Sequence, residues 1–161
     1  MDGISIRRIA IEDNVAVAEL IRKVLLEMGV PKVGSAYADK GLDDMYNEYK
    51  TDRSAYFLAE QNGLLLGCAG IAPLKAADDA TCELQKMYIL EEARGKGLGK
   101  KLIAKCLDQA TYLGFKYCYL ETMPHMQAAQ KLYTNFGFKY LESPKGDTGH
   151  HACQVYMLKE L

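Results

Sequence analysis

The stretch Cys82–Lys101, CELQKMYILEEARGKGLGKK, changes character twice along its length. Cys82–Ile89 ends in aromatic and β-branched residues, which predicts a strand. Glu91–Leu98 reads as a turn, and three glycines mark it: Gly95, Gly97 and Gly99. From Leu98 onward apolar residues recur at helical spacing, at Ile103, Cys106, Leu107 and Ala110. The stretch therefore predicts a strand, a glycine turn and the start of a helix.

This succession of elements is suited to holding a diphosphate. The first N–H groups of a helix have no acceptor within the helix, and the positive end of the helix dipole lies beside them. Glycines remove the Cβ atoms that would keep phosphate oxygens away from these N–H groups. We therefore predict an anion site where this helix begins.

The spacing of the glycines excludes two common phosphate-binding motifs. A nucleotide P-loop requires glycine five residues before Gly99 and a hydroxyl residue after Gly99-Lys100, but Arg94 and Lys101 stand there. A dinucleotide fingerprint requires a third glycine where this chain has Lys100 or Leu102. A nucleotide-phosphate binder thus becomes a weaker hypothesis.

The remaining pattern, Arg94-x-x-Gly97-x-Gly99, resembles the acyl-coenzyme A pyrophosphate loop of the GNAT N-acetyltransferase superfamily. The preceding Glu83–Ile89 looks like that family's central strand. A second stretch, Ala129–Tyr133 followed by Phe136–Phe138, resembles its helix carrying Leu-Tyr and ending in Gly-Phe. The resemblance implies an N-acetyltransferase that moves acetyl directly from acetyl-CoA to a primary amine. A catalytically silent acyl-CoA-binding protein would share the same loop.

The resemblance also implies which residues bind the cofactor. Main-chain groups of Met87–Ile89 would meet the pantetheine arm and the acetyl carbonyl between two diverging strands, and an N–H there would stabilise the oxyanion. The predicted cofactor-binding set is Met87, Tyr88, Ile89, Arg94, Gly95, Lys96, Gly97, Leu98, Gly99, Lys100 and Ala129. Met126 is a departure, because the family often has a cofactor-contacting asparagine at this position.

Two residues are the catalytic candidates. The resemblance implies Tyr133 as the acid for the leaving thiolate; the alternative is a core tyrosine on an amphipathic helix. An ammonium with a pKa near 10.4 is neutral in only about one molecule in 10³ at pH 7, so a base is valuable. Glu83 is the candidate base, directly or through water; the alternative is a solvated or hydrogen-bonded strand residue.

Strand periodicity adds a geometric expectation. Alternation of side chains predicts two sets on opposite faces: Glu83, Gln85 and Met87 on one, and Leu84, Lys86 and Tyr88 on the other.

The whole chain predicts an α/β (α+β) fold, a GNAT-like single domain over 1–161 with a mixed sheet of about seven strands and helices on both faces. The predicted order is β-α-α-β-β-β-α-β-α-β-β. The predicted strands are Ile4–Ala10, Ala55–Glu60 and Leu64–Ala72 around the hairpin turn Asn62-Gly63, Cys82–Ile89, Lys116–Met123, Lys139–Glu142 and Cys153–Lys159. The predicted helices are one capped by Asp13 and ended by Gly29 and Pro31, one around Leu42–Tyr49, Leu98–Leu113, and one opened by Pro124 and closed by Gly137.

Composition excludes several classes of partner. With 20 Lys and Arg against 21 Asp and Glu, the chain has no overall field favouring nucleic acid or an anionic membrane. Its longest uncharged apolar run, Leu64–Leu74, is too short to span a bilayer. Five cysteines without a CxxC pair predict reduced thiols in a cytoplasmic protein. The predicted partner is a small-molecule or peptide amine, and a homodimer is possible.

Two further groups have open interpretations. His150 and His151 beside Cys153 lack a converging fourth ligand, so we predict no metal there; the loop either lines the acceptor pocket or is simply exposed. Four acidic residues surround the second helix, Asp39, Asp43, Asp44 and Glu48. They either attract a cationic amine or form a solvated helix face.

Overall fold

The structure is a computed structural model that describes residues 3–30, 32, 36–149 and 154–161. One sheet contains seven strands in the spatial order β1-β2-β3-β4-β5-β7-β6. The strands are β1 Ile4–Arg8, β2 Ala55–Gln61, β3 Leu64–Pro73, β4 Thr81–Ile89, β5 Tyr117–Thr122, β6 Lys139–Leu141 and β7 Val155–Glu160. The α-helices are α1 Asn14–Glu27, α2 Met45–Glu48, α3 Leu98–Tyr112 and α4 Gln127–Asn135. The predicted fold class and order of elements are confirmed.

An apolar core lies on each face of the sheet. On one face, which we call the α1 face, Ile21 and Val24 of α1 pack with Leu58 of β2. On the other, the α3 face, Leu102 of α3 packs with Phe57 of β2. Neighbouring residues of one central strand therefore enter different cores, as the period of a strand requires.

Strands β4 and β5 are neighbours only at their beginnings. Their parallel pairing comprises Thr81 with Tyr117, Cys82 with Cys118, and Glu83 with Tyr119. Beyond Glu83, β4 continues to Ile89 while still paired with β3, and β5 stays paired with β7. A gap therefore opens between β4 and β5 toward their carboxyl ends, as the family resemblance implied.

A β-bulge in β4 lies beside this gap. Gly70 of β3 pairs with Gln85 and Cys68 pairs with Tyr88, so Lys86 and Met87 together stand opposite a single β3 residue. Lys86 has a φ of +48°, in the left-handed region that disfavours side chains. The hydroxyl of Tyr56, which is buried, donates to the Lys86 carbonyl oxygen at 2.6 Å and holds the bulge.

The bulge makes the predicted face assignment of β4 wrong. Before it, Leu84 packs in the core of the α3 face, and Gln85 bonds Tyr49 on the α1 face. After it, Met87 packs on the α3 face and Tyr88 on the α1 face. Glu83 and Met87 therefore lie on opposite faces, because one extra residue inverts every later side chain of a strand.

Near the N-terminus, two local predictions are also corrected. Asp13 occupies the position before α1, but its carboxylate does not cap the helix; it accepts from the Ala10 N–H and from Arg7, both near 2.8 Å. The predicted second helix is mostly a 3₁₀ turn over Lys40–Asp44, followed by the single α-turn Met45–Glu48. The bonds of the Asp13 carboxylate to Arg7 and Ala10 compete with capping, which explains why this side chain does not cap α1.

The start of α4 differs as well. Pro124 does not occupy its first position: the helix begins at Gln127, with Met126 before it. The N–H of Met126 instead closes a turn onto the Met123 carbonyl oxygen at 3.0 Å. Gly137 ends the helix with a φ of +94°, as predicted.

Gly70 gives a direct test of the bulge. An added Cβ would lie 2.4 Å from Tyr56 Cδ1 and 2.7 Å from the Ala55 carbonyl oxygen, both of which are held by the sheet. We expect Gly70→Ala to lower the free energy of unfolding by about 1–3 kcal/mol, measured by urea denaturation. Gly41→Ala is the matched control, because its Cβ would meet the flexible Glu48 carboxylate at 3.0 Å. Equal losses in the two variants would contradict this account of the bulge.

Candidate active site

A cavity of about 700 Å³ lies where β4 and β5 part. Its walls come from the end of β4, the glycine turn, the starts of α3 and α4, and one side of α1. It brings together eleven of the predicted site residues: Met87, Tyr88, Ile89, Arg94, Gly95, Gly97, Leu98, Gly99, Lys100, Ala129 and Tyr133. Lys96, which is exposed, and Glu83 do not line it.

Two glycines of the turn are required by the backbone. Gly97 precedes α3 with a φ of +83°, and Gly95 has a φ of +74°. In the described part of the chain, nothing lies within 4 Å of where either Cβ would be. Among the described residues no side chain caps the first turn of α3 either. The N–H groups of that turn are therefore available to a ligand.

Gly99, which lines the cavity, also has a role in packing. A Cβ at this position would lie 3.0 Å from Leu132 Cδ2 of α4. The missing side chain therefore lets α4 pack closely against the start of α3, which completes the cavity wall. Close packing between the two helices therefore requires a glycine here, and the predicted contact of Gly99 with a phosphate stays a prediction.

The Arg94 side chain holds the turn in place. Its Nε donates to the Ile89 carbonyl oxygen at 3.0 Å, and a terminal nitrogen lies 3.5 Å from a carboxylate oxygen of Glu27 in α1. The guanidinium thus links the end of β4 to α1. The main chain of the turn is left to face the cavity.

Tyr133 lies on the cavity wall, packed edge-to-face on Phe138 with ring centroids 6.0 Å apart. Among the described residues no hydrogen bond engages its hydroxyl. Burial raises the pKa of Tyr133 to about 12, so the hydroxyl stays protonated near neutral pH. It is a proton-bearing donor at the end of the cavity formed by α4.

Glu83 lies at the last residue of β4 that pairs with β5, and its exposed fraction is 4%. Gln85 Nε2 donates to its Oε1 at 2.6 Å. Burial raises the pKa of Glu83 to about 7, and the nearby Glu121 adds to the rise, whereas the Gln85 hydrogen bond opposes it. The carboxyl group therefore changes charge near neutral pH.

Several cavity residues were not predicted from sequence. Val24 of α1 and Met28, the residue directly after α1, line it. Gln127 also lines it, at the true start of α4 that the position of Pro124 obscured. Met126, at the position where the family often has a cofactor-contacting asparagine, lines it beside Gln127. Met126 Sδ accepts from the Thr122 hydroxyl at 3.8 Å, so the atom faces the end of β5.

Three of the four acidic residues around α2 have structural partners. Asp43 pairs with Arg22, Asp44 accepts from Asn47, and the Asp39 carboxylate accepts from the N–H of Gly41. These bonds favour the interpretation as a structured, solvated face.

His150, His151 and Cys153 lie outside the described residues. Within the described ranges, no three or more His, Cys, Asp or Glu side chains are placed to hold a metal ion. Over the same ranges, none of the helices has the length and apolar character needed to cross a bilayer.

Comparisons with known proteins agree with this geometry. The model of the acetyltransferase (GNAT) family matches residues 18–138. The uncharacterized N-acetyltransferase YjgM of Escherichia coli K12 is 44% identical over 156 residues, which cover 96% of this chain and 93% of that protein.

Solved structures share the fold. A GNAT-family acetyltransferase of Staphylococcus aureus superposes with a TM-score of 0.84 at 21% identity, covering 98% of this chain and 99% of its own. The yncA protein of Salmonella typhimurium, solved with its cofactor acetyl-CoA, superposes with a TM-score of 0.79 at 21% identity, covering 99% and 95%. From the family match and the E. coli relative, we conclude that this chain belongs to the GNAT family of acetyltransferases.

Proposed function

We propose that the protein is an acetyl-CoA-dependent N-acetyltransferase that transfers the acetyl group directly to a primary amine. The observation that carries the proposal is the cavity between β4 and β5, which joins the start of α3 to the part of β4 that lies beyond its pairing with β5. Family membership and the acetyl-CoA in the Salmonella protein support the same ligand.

The glycine turn fits the diphosphate of coenzyme A. Left-handed Gly95 and Gly97 leave open space in front of the main chain, and the first turn of α3 offers N–H groups to an anion. Exposed Lys96 and Lys100 add positive charge beside the turn. We assign the diphosphate to the main chain from Arg94 to Lys100.

The pantetheine arm fits the edge of β4. The pairing of β4 with β5 ends at Glu83, and Met87, Tyr88 and Ile89 line the cavity beyond it. An extended arm with amide groups binds such an edge as an added strand does. Ala129 of α4 would contact the arm from the opposite wall, and an N–H of Met87–Ile89 would stabilise the oxyanion.

Two proton transfers accompany the exchange of the C–S bond for a C–N bond. Deprotonating an ammonium at pH 7 costs about 4–5 kcal/mol, and Glu83, with a pKa near the working pH, is the proposed acceptor. Because Glu83 does not line the cavity, the proton reaches it through water. Tyr133, a weaker acid than a thiol near pKa 8.5, would stabilise the leaving sulfur by donating a hydrogen bond, and the thiolate would then take up its proton from water.

The acceptor is proposed to be a primary amine on a small molecule or a peptide. Cytoplasm is the proposed compartment, and four buried free thiols support it: Cys68, Cys82, Cys106 and Cys118. A silent acyl-CoA-binding protein is the alternative, favoured by the position of Glu83 outside the cavity lining.

Acetyl-CoA incubated with the protein and a panel of primary amines should release free thiol. Acetyl-CoA at about 100 times its Kd should also add roughly 2.7 kcal/mol to the free energy of unfolding, a rise of several degrees in Tm at about 2–8 °C per kcal/mol. ATP and NAD are the control ligands and should leave Tm unchanged. A Tm rise without thiol release from any amine favours the silent binder, and an equal rise with ATP contradicts the assigned site.

Replacing the Tyr133 hydroxyl should slow the reaction more than it weakens binding. We expect Tyr133→Phe to lower kcat by about 10²-fold or more, since it removes the donor to the leaving sulfur, while the Kd for acetyl-CoA stays near that of the wild type. Tyr112→Phe, at a side chain 84% exposed on α3, is the matched control. An unaltered kcat in Tyr133→Phe would show that this hydroxyl does not assist the leaving sulfur.

The raised pKa of Glu83 predicts a pH dependence of stability. Between about pH 4.3, its ordinary pKa, and about 7, the folded state keeps a proton that the unfolded state has lost, so this group's contribution to stability falls as pH rises. Gln cannot ionise, so the Tm of Glu83→Gln relative to wild type should increase between pH 5 and pH 8. Exposed Glu142→Gln is the control. A Tm difference that stays flat or decreases would show that the carboxyl group is not buried as described.

A further inference from the structure

Three side chains on the α1 face form a continuous hydrogen-bonded chain that ends at Glu83. Tyr49, directly after α2, donates its hydroxyl to Gln85 Oε1 at 2.7 Å, and Gln85 Nε2 donates to Glu83 Oε1 at 2.6 Å. Tyr49 and Glu83 are both buried, with exposed fractions of 6% and 4%. We call these residues the Tyr49 relay.

We propose that Gln85 and Tyr49 are positioning residues of the transfer reaction, which hold the Glu83 carboxylate in the orientation that accepts the proton of the amine. This inference rests on the proposed function, because it takes Glu83 to be the base of the transfer reaction. Neither residue lines the cavity, so both would act through Glu83.

The direction of the hydrogen bonds gives the relay its effect. A carboxylate accepts hydrogen bonds only, and an amide offers a donor on one side and an acceptor on the other. Because Tyr49 donates to the Gln85 oxygen, the Gln85 nitrogen is turned toward Glu83. The opposite orientation would place two acceptors against each other whenever Glu83 is ionised.

The packing of Tyr49 makes this orientation rigid. Its ring lies against the buried ring of Tyr56, with centroids 4.7 Å apart, and Tyr56 in turn bonds the bulge of β4 at Lys86. The hydroxyl of Tyr49 therefore has a fixed position relative to β4. The Gln85 side chain is held between this hydroxyl and the Glu83 carboxylate. Glu83 is two residues before Gln85 in β4, so their side chains lie on the same side of the strand.

Other charged and titratable groups also act on Glu83, from every element around it. They are Glu121 and Tyr119 on β5, Lys86 on β4, Lys75 after β3 and Tyr49 beside α2. Burial and Glu121 disfavour the ionised carboxylate, whereas the Gln85 hydrogen bond and the two lysines favour it. The Gln85 contact is the largest of the favourable effects, so its removal should raise the pH at which Glu83 loses its proton.

The test compares the pH dependence of kcat/KM for three variants. Gln85→Met keeps the approximate side-chain volume and removes the N–H donor to Glu83. The acid limb, which is the fall of kcat/KM at low pH, should therefore shift to higher pH by about one unit. Tyr49→Phe should produce a smaller shift in the same direction. Tyr46→Phe, within α2 and three residues before Tyr49, is the matched control and should leave the pH of the acid limb unchanged, because its side chain is not part of the Tyr49 relay.

A second readout does not depend on turnover. The carboxyl carbon of Glu83, followed by ¹³C NMR, should titrate at a higher pH in Gln85→Met than in wild type. An unchanged limb together with an unchanged titration in Gln85→Met would overturn the proposal, as would a Glu83→Gln variant that keeps the wild-type rate and acid limb. Wild-type protein that releases no thiol with any amine would refute the proposed function instead, and the NMR titration would still decide whether Gln85 controls the charge of Glu83.

Discussion

The main-chain hydrogen bonding of β4 is the constraint on which the candidate site depends. Up to Glu83 this strand pairs with both β3 and β5, and beyond Glu83 its pairing with β3 continues while that with β5 ends. Backbone N–H and C=O groups removed from water require partners, so the edge that β5 leaves favours a ligand with amide groups of its own. The bulge at Lys86 lies in the same segment and turns Met87 toward the α3 face. A departure from regular pairing thus creates both the space and the surface for a cofactor.

The parting of the strands also separates two kinds of chemistry. The start of α3 and the Tyr133 side chain lie on the α3 face, where N–H groups and a protonated hydroxyl suit an anion and a leaving thiolate. The relay of Tyr49, Gln85 and Glu83 lies on the α1 face. Tyr88 packs on the α1 face and also lines the cavity, so the two regions meet at the end of β4. In the proposed reaction the proton of the amine passes from the cavity to Glu83 through water.

The features that sequence predicted are those encoded by neighbouring residues. The glycine turn before α3 and the Leu-Tyr helix with its closing Gly137 are local patterns, and the Asn62-Gly63 hairpin has both φ values positive, as its sequence requires. The bulge could not be predicted, because it depends on Tyr56 and Gly70, which reach β4 only in the folded sheet. For the same reason strand alternation wrongly predicted that Glu83 and Met87 lie on one face of β4. The hydrogen bond between Tyr49 and Gln85 joins residues 36 positions apart, so no local pattern in the sequence indicated it. At Pro124 a local pattern gave a wrong prediction. Proline favours the first position of a helix, but the hydrogen bond from the Met126 N–H to the Met123 carbonyl oxygen forms a turn there, and α4 begins only at Gln127.

A crystal structure of the protein with coenzyme A bound tests the central claim most directly. The account predicts diphosphate oxygens within hydrogen-bond distance of main-chain N–H groups between Arg94 and Lys100, and the pantetheine arm along Met87–Ile89 in the gap between β4 and β5. Coenzyme A bound elsewhere on the chain, or a gap that closes by pairing of β4 with β5 beyond Glu83, would contradict it.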